Sequence, residues 1–170
     1  MATATLVPVE EYLRNSWSPD REYVDGVILE RNLGELPHAW LETYLPRLFE
    51  ARGLIAIVEL RTQVKPQRFR VPDVLVIDEL PQDDIVRTPP YIVIEILSPE
   101  DRASALTEKL DDYLDFGVPN VWVIDPSLRT MSAWTREGSH KFTTAAETSD
   151  GRVSIPLEEI FSSLSRLRRS

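Results

Sequence analysis

At 170 residues and 42% apolar, the chain is long enough for one domain with a real core. Cysteine is absent, which excludes disulfides, thiolate zinc sites and cysteine nucleophiles; with only His38 and His140 as histidines, any metal is expected to be a hard, oxygen-liking ion such as Mg2+ or Mn2+. A formal net charge of −9 argues against broad, non-specific affinity for nucleic acid, although metal-binding carboxylates would themselves be part of that count.

The first eight residues have neither the basic start nor the apolar core of a signal peptide, and no stretch approaches the length of a membrane span. The expectation is a cytoplasmic protein, one domain over residues 1–170 with its core at about 20–136. Residues 9–15 predict a short helix closed off by Ser18-Pro19. Residues 22–30 read as two short strands around Asp25-Gly26, a strong hairpin signal. Residues 38–52 carry Leu41, Tyr44, Leu45, Leu48 and Phe49 at helical spacing, with Pro46 as an expected kink and Gly53 as the stop.

Strand material follows at residues 54–60 and 62–65, bent or bulged in between. Residues 61–70 hold Arg61, Lys65, Arg68 and Arg70 and no acid, which reads as a solvated hairpin or a phosphate-steering edge; the tail adds Arg166, Arg168 and Arg169. The runs Pro72-Asp73-Val74-Leu75-Val76-Ile77 and Tyr91-Ile92-Val93-Ile94-Glu95-Ile96-Leu97 predict two buried strands, joined by an acidic, proline-marked loop. Ser98-Pro99-Glu100-Asp101 reads as a capped helix start, and the helix runs to about Phe116 with Leu106, Leu110, Tyr113 and Leu114 facing the core. Buried residues 121–124 and more exposed residues 131–136 complete the strands; a polar stretch and a tail helix near residues 157–167 follow. Strands flanking two principal helices point to an α/β sandwich with a mixed sheet.

Glu95 is the most informative position. A carboxylate in a strand covered on both faces needs a cation, a donor network or a metal ion. Asp73 opens the neighbouring strand, and antiparallel pairing would let the two acids converge at one end of the sheet. Lys109 lies at the edge of its helix's apolar stripe, within reach of the strand ends. Two acids that recruit a divalent cation, with a lysine that orients water and offsets phosphate charge, suit phosphodiester hydrolysis. The alternative for Glu95 is a structural ion pair with Arg70 or Arg102. Glu22 is a candidate auxiliary acid, Glu42 an alternative for that role, and His38 reads as a cap or core histidine.

These segments resemble a known pattern. Pro72-Asp73-Val74, Glu95-Ile96-Leu97-Ser98-Pro99, Lys109-Leu110 with Tyr113, and Gly117-Val118-Pro119-Asn120-Val121-Trp122-Val123-Ile124-Asp125-Pro126 look like the Uma-two family of restriction endonuclease-like proteins, as does Glu22-Tyr23-Val24-Asp25-Gly26. The resemblance implies the restriction endonuclease-like fold of the PD-(D/E)XK nuclease superfamily: α/β, with a mixed central sheet flanked by helices. It further implies metal ligation by Asp73 and Glu95, with catalysis by Asp73, Glu95 and Lys109 and support from Glu22. The superfamily's lysine two residues after the glutamate is replaced here by Leu97, and Lys109 fits the place of a substitute on the next helix. Ala105 stands where many relatives carry an acid. The expected function is a Mg2+- or Mn2+-dependent DNA endonuclease, a homodimer so that both strands can be cut. The alternative is a catalytically inactive module on the same scaffold that binds or regulates with a partner. A partner-targeted nuclease is a third reading, with Trp134 and the following polar stretch as contacts.

Overall fold

The computed structural model describes residues 6–31 and 34–167. In chain order these form α1 (Val9–Arg14), β1 (Glu22–Val24), β2 (Val27–Leu29), α2 (Leu36–Glu50), β3 (Ile55–Val58), β4 (Thr62–Lys65), β5 (Arg68–Arg70), β6 (Val74–Ile77) and β7 (Ile92–Ile96). Then come α3 (Ala103–Phe116), β8 (Asn120–Asp125), β9 (Thr130–Thr135), β10 (Gly138–Lys141), β11 (Ala145–Glu147), β12 (Ser154–Pro156) and α4 (Leu157–Ser163), with a final 3-10 turn over Leu164–Leu167. No helix among the described residues is long and apolar enough to cross a membrane.

Among the described residues the main sheet has six strands in the order β10-β9-β8-β7-β6-β3. Only β7 and β8 run parallel, connected through α3; every other neighbouring pair is antiparallel, so the sheet is mixed. Alternation along the central strands then decides which face each side chain meets. Val74, Val76, Ile92, Ile94 and Ile96 pack with Leu41, Leu45 and Phe49 of α2. Leu75 and Val93 pack on the other face with Leu110 and Tyr113 of α3. Both faces are covered, as the near-continuous apolar runs require.

A second sheet, β2-β1-β5-β4, lies beside the first. The Asp25-Gly26 hairpin forms as expected, with φ of 48° and 96° at the two turn residues, the combination a two-residue primed turn demands. The expected bend between the strands of residues 54–65 is at Glu59, whose φ is 53°. There the chain leaves β3, which pairs with β6, and enters β4, which pairs with β5 in the other sheet. Pro46 lies within α2, and Pro37 occupies its first turn, where a missing N–H costs little.

Three expectations are corrected. The helix does not begin at Ser98-Pro99: its N-cap is Arg102, and residues 98–101 form a turn. Ser98 N–H donates to Asp101 Oδ2 at 2.7 Å and Asp101 N–H to Ser98 O at 3.0 Å, local bonds that compete with helix. The basic run of residues 61–70 forms the β4–β5 hairpin, but its cations are engaged in ion pairs instead of being free to steer phosphates. Arg61 pairs with Asp20, while Lys65, Arg68 and Arg70 converge on Asp112 of α3. The polar stretch after Thr135 contains β10, β11 and β12, which are too short and too polar to announce themselves by alternation. In the tail, Arg166 is exposed, whereas Arg168 and Arg169 lie outside the described residues.

Candidate active site

Asp73 and Glu95 come together because of strand register. β6 and β7 pair antiparallel with Val74 opposite Ile94, so one further step sets Asp73 opposite Glu95. The backbone N–H of Ile96 donates to Asp73 Oδ2 at 2.7 Å and ties the carboxylate to this end of the sheet. Glu95 follows Val93 onto the face covered by α3, where Lys109 and Tyr113, one helical turn apart, point at it. Lys109 Nζ donates to Glu95 Oε2 at 2.8 Å and the Tyr113 hydroxyl to Oε1 at 2.8 Å. The partners of Glu95 are therefore Lys109 and Tyr113 rather than Arg70 or Arg102.

Glu22 joins from β1. Its Oε1 lies 2.9 Å from Lys109 Nζ and accepts the Val71 N–H, and its Oε2 lies 3.0 Å from Arg70 Nη1. Lys109 thus bridges Glu22 and Glu95 and also donates to Val71 O at 3.0 Å. These side chains line a cleft of about 530 Å3, together with Arg31, His38 and Asp73. A larger concavity of about 780 Å3 sits around the loop of residues 78–90, at the opposite end of β6 and β7 from the acids. None of the site residues expected from the sequence lines it.

The electrostatics follow from crowding. Burial pushes the Glu95 carboxyl up to about 8 against the pull of Lys109, and the charges of Asp73 and Glu22 add to the rise. Burial also works against the Lys109 ammonium, but Glu22, Glu95 and Asp73 together hold it protonated, above its ordinary range. For Asp73 burial opposes ionisation, yet the bond from His38 and the charge of Lys109 keep its carboxyl below the usual value. The same balance raises His38 to about 10, because its bonds to Asp73 and Glu42 outweigh burial.

Two residues in the cleft were given no site role by the sequence: Arg31 was not singled out, and His38 was read as a cap or core histidine. Arg31, just after β2, places Nη2 2.8 Å from Asp73 Oδ1 and Nη1 2.5 Å from Glu59 Oε1. Nothing in the local sequence distinguishes it from a surface arginine. His38 is not a cap, since Glu35 occupies the N-cap of α2. Its Nε2 lies 3.4 Å from Asp73 Oδ2 and its Nδ1 3.5 Å from Glu42 Oε2. The spacing of four residues between His38 and Glu42 was the available signal, since it sets both on one helix face. His38, Glu42 and Asp73 each offer one ligand atom within 4.8 Å of the others. Trp134 packs inward, donating its indole N–H to Asp111 Oδ1 at 3.1 Å.

Residues 9–168 match the Uma2 family, described as "Putative restriction endonuclease". The chain belongs to the Uma2 family. The fold agrees with that membership. A "putative nuclease belonging to DUF820" from Anabaena variabilis ATCC 29413 superposes with a TM-score of 0.80 at 22% identity, covering 93% of this chain and 99% of that one. A chain of the cryo-EM structure of the DrdV–DNA complex is far more distant. It reaches a TM-score of 0.40 at 16% identity, over 74% of this chain and 10% of that one. No curated protein matches the chain. The Uma2 assignment accounts for the restriction endonuclease-like arrangement, a mixed sheet flanked by helices with the PD and glutamate motifs at one strand end.

Proposed function

We propose that the protein is a divalent-metal-dependent DNA endonuclease whose chemistry is carried by Asp73, Glu95 and Lys109, with Glu22 in support. The observation that carries this reading is the Lys109 ammonium held 2.8 Å from Glu95 Oε2, one strand away from Asp73 in the same cleft. The donor set suits a hard cation: the carboxylates of Asp73 and Glu95 stand at one end of two adjacent strands, in a cleft where Glu42 Oε1 is buried and without a hydrogen-bond partner among the described residues. Mg2+ or Mn2+ bound there would polarise the scissile phosphate and lower the pKa of a bound water.

The chain's own residues do the rest. Asp73, held ionised, supplies the fixed negative charge that receives the cation. Lys109, kept protonated by three carboxylates, offsets charge that grows on phosphate oxygen and orients the attacking water. Glu95, oriented by its bonds from Lys109 and Tyr113, would share the cation with Asp73. Glu22 and the Val71 carbonyl also hold Lys109, so the ammonium is positioned by three oxygens. In this reading residues 1–170 form one nuclease domain, cytoplasmic, paired as a homodimer when both strands of a duplex are cut.

A second reading has one observation in its favour: Arg31 already neutralises Asp73, which is how a scaffold kept for binding alone would look. One experiment separates the two. Supercoiled and single-stranded DNA are incubated with Mn2+ or Mg2+ and the purified protein, with Asp73→Ala and Lys109→Ala alongside. Cleavage by the wild type is expected to fall at least a hundredfold (about 2.7 kcal/mol or more) in each variant. A wild type that folds and never cleaves, or variants that cleave as well as it does, would remove the nuclease reading.

A further inference from the structure

β3 ends the main sheet on one side and pairs only with β6; no strand lies beyond it among the described residues. The alternation of an antiparallel ladder fixes which of its backbone groups are used. Val76 O accepts the Tyr91 N–H at 2.8 Å, so Val76 turns its backbone toward β7. Its neighbours Leu75 and Ile77 then turn toward β3, where they stand opposite Ile57 and Ile55. The Glu59 N–H, directed at Pro72 O and Asp73 O at 3.2 and 3.4 Å, follows the same parity. The N–H and C=O groups of Ala56 and Val58 therefore point away from the sheet, and they have no partner among the described residues.

The side chains around these groups are apolar. Leu54-Ile55-Ala56-Ile57-Val58 holds no charge and no proline, and Ile55 and Val58 are 37% and 40% exposed. Sheet edges are ordinarily blunted by charge, proline or a bulge. The opposite edge follows that rule, since β10 opens with Gly138, ends with Lys141 and exposes polar side chains between them. A chain of net charge −9 also repels its own copies over most approaches, and a neutral strip is where two of them can meet.

We propose that β3 is the surface through which two copies of this chain pair, edge to edge and antiparallel about a dyad at Ile57, so that their main sheets join into one. Ala56 of one copy exchanges both backbone bonds with Val58 of the other, and the dyad repeats the exchange. Ile57, already packed on the α3 side of the sheet, meets its counterpart across the dyad. A second copy is the occupant because the free groups are their own complement: they need a strand with the same donors and acceptors at the same spacing, running the other way. The guarded β10 edge stops the pairing at two. The inference gives an interface to the homodimer of the nuclease reading and rests on that reading for what the pairing accomplishes. The edge is joined to the cleft, since β3 leads into Glu59, which holds Arg31 beside Asp73.

The test is sedimentation velocity of the full-length protein between roughly 200 μM and roughly 1 μM, with amide hydrogen exchange at both ends of the range. The wild type is expected to be dimeric at the upper end and to dissociate on dilution, since one strand pair makes a small interface. The amides of Ala56 and Val58 are expected to exchange about tenfold or more faster on dilution, whereas those of Ile55 and Ile57, bonded to β6, stay protected throughout. Val58→Lys and Ile55→Glu change exposed side chains and are each expected to raise the dissociation constant about tenfold or more. A wild type that is monomeric at the upper concentration, a dimer whose Ala56 and Val58 amides exchange as in the monomer, or both variants within about twofold of wild type overturns the inference. Ile55 stands opposite Ile77, at the end of β6 away from Asp73, so Ile55→Glu is expected to keep nicking supercoiled DNA with Mn2+ while yielding less linear product. A monomeric wild type that still nicks overturns this inference and leaves the nuclease reading standing. A wild type that pairs through β3 and never nicks overturns the nuclease reading alone.

Discussion

Lys109 is the residue on which the charges of the cleft turn. It contacts Glu22, Glu95 and the Val71 carbonyl while being only 14% exposed, so replacing it with methionine leaves two buried carboxylates with one cation fewer. The expected loss is about 3–5 kcal/mol in urea unfolding. In a Glu95→Gln background the same substitution should cost less, because an amide makes no demand for a cation; equal losses in both backgrounds would show that the two groups do not interact. Asp112 is the counterpart outside the cleft. It is 2% exposed and accepts from Arg70 Nη2 at 2.7 Å, Lys65 Nζ at 3.0 Å and Arg68 Nη1 at 3.0 Å. Burial opposes its charge, but the bonds from Lys65 and Arg70 prevail and lower its pKa. A folded value below the unfolded one, about 3.9, means stability that is present above roughly pH 4 and lost as pH falls through the folded value. Asp112→Asn should therefore melt lower than wild type at pH 7 and show a flatter decline below pH 4. Parallel acid limbs would contradict this account.

At the scale of elements, the site depends on where α3 stops and on how its first turn is displaced. Gly117 ends the helix with φ of 101°, and a Cβ there would meet only Pro89 Cγ at an ordinary 3.5 Å. The cost of Gly117→Ala is then backbone strain alone, about 1–2 kcal/mol. A thermal melt with no decrease would mean that the turn relaxes without penalty. The other end of α3 shows why its boundary escaped sequence reading. Ser98, Pro99 and the following acids have the composition of a helix start, but Asp101 is spent on the Ser98 N–H and the helix waits until Ala103. Boundaries set by one side-chain bond carry little signal in composition, whereas the apolar stripe of Leu106, Leu110 and Tyr113 identified the helix itself.

Across the whole molecule, charge is the feature most open to measurement. The net charge is −9, and the basic cluster of residues 61–70 is consumed by internal ion pairs with Asp20, Asp25, Glu108, Asp112 and Asp115. That cluster therefore contributes little to displacing counterions from DNA. Binding to a random duplex should accordingly be weak, with a log–log salt slope shallower than about −3, since each neutralised phosphate contributes roughly −0.9. A slope near −6 or steeper would reveal a basic surface that this arrangement of side chains does not provide.

The sequence by itself determined that two buried strands each carry an acid, that a lysine sits at the edge of the following helix, and that the chain has the Uma2 pattern. Those facts are local: a carboxylate in an aliphatic run and a 3.6-residue stripe are visible without knowing what lies opposite. Only the tertiary structure decided that Asp73 faces Glu95 across β6 and β7, because register depends on the loop that joins them. It alone brought Arg31 and His38 to Asp73 and turned Arg70 toward Asp112 instead of Glu95. The partner of a buried charge is chosen by packing among residues distant in the chain, and no local pattern records that choice.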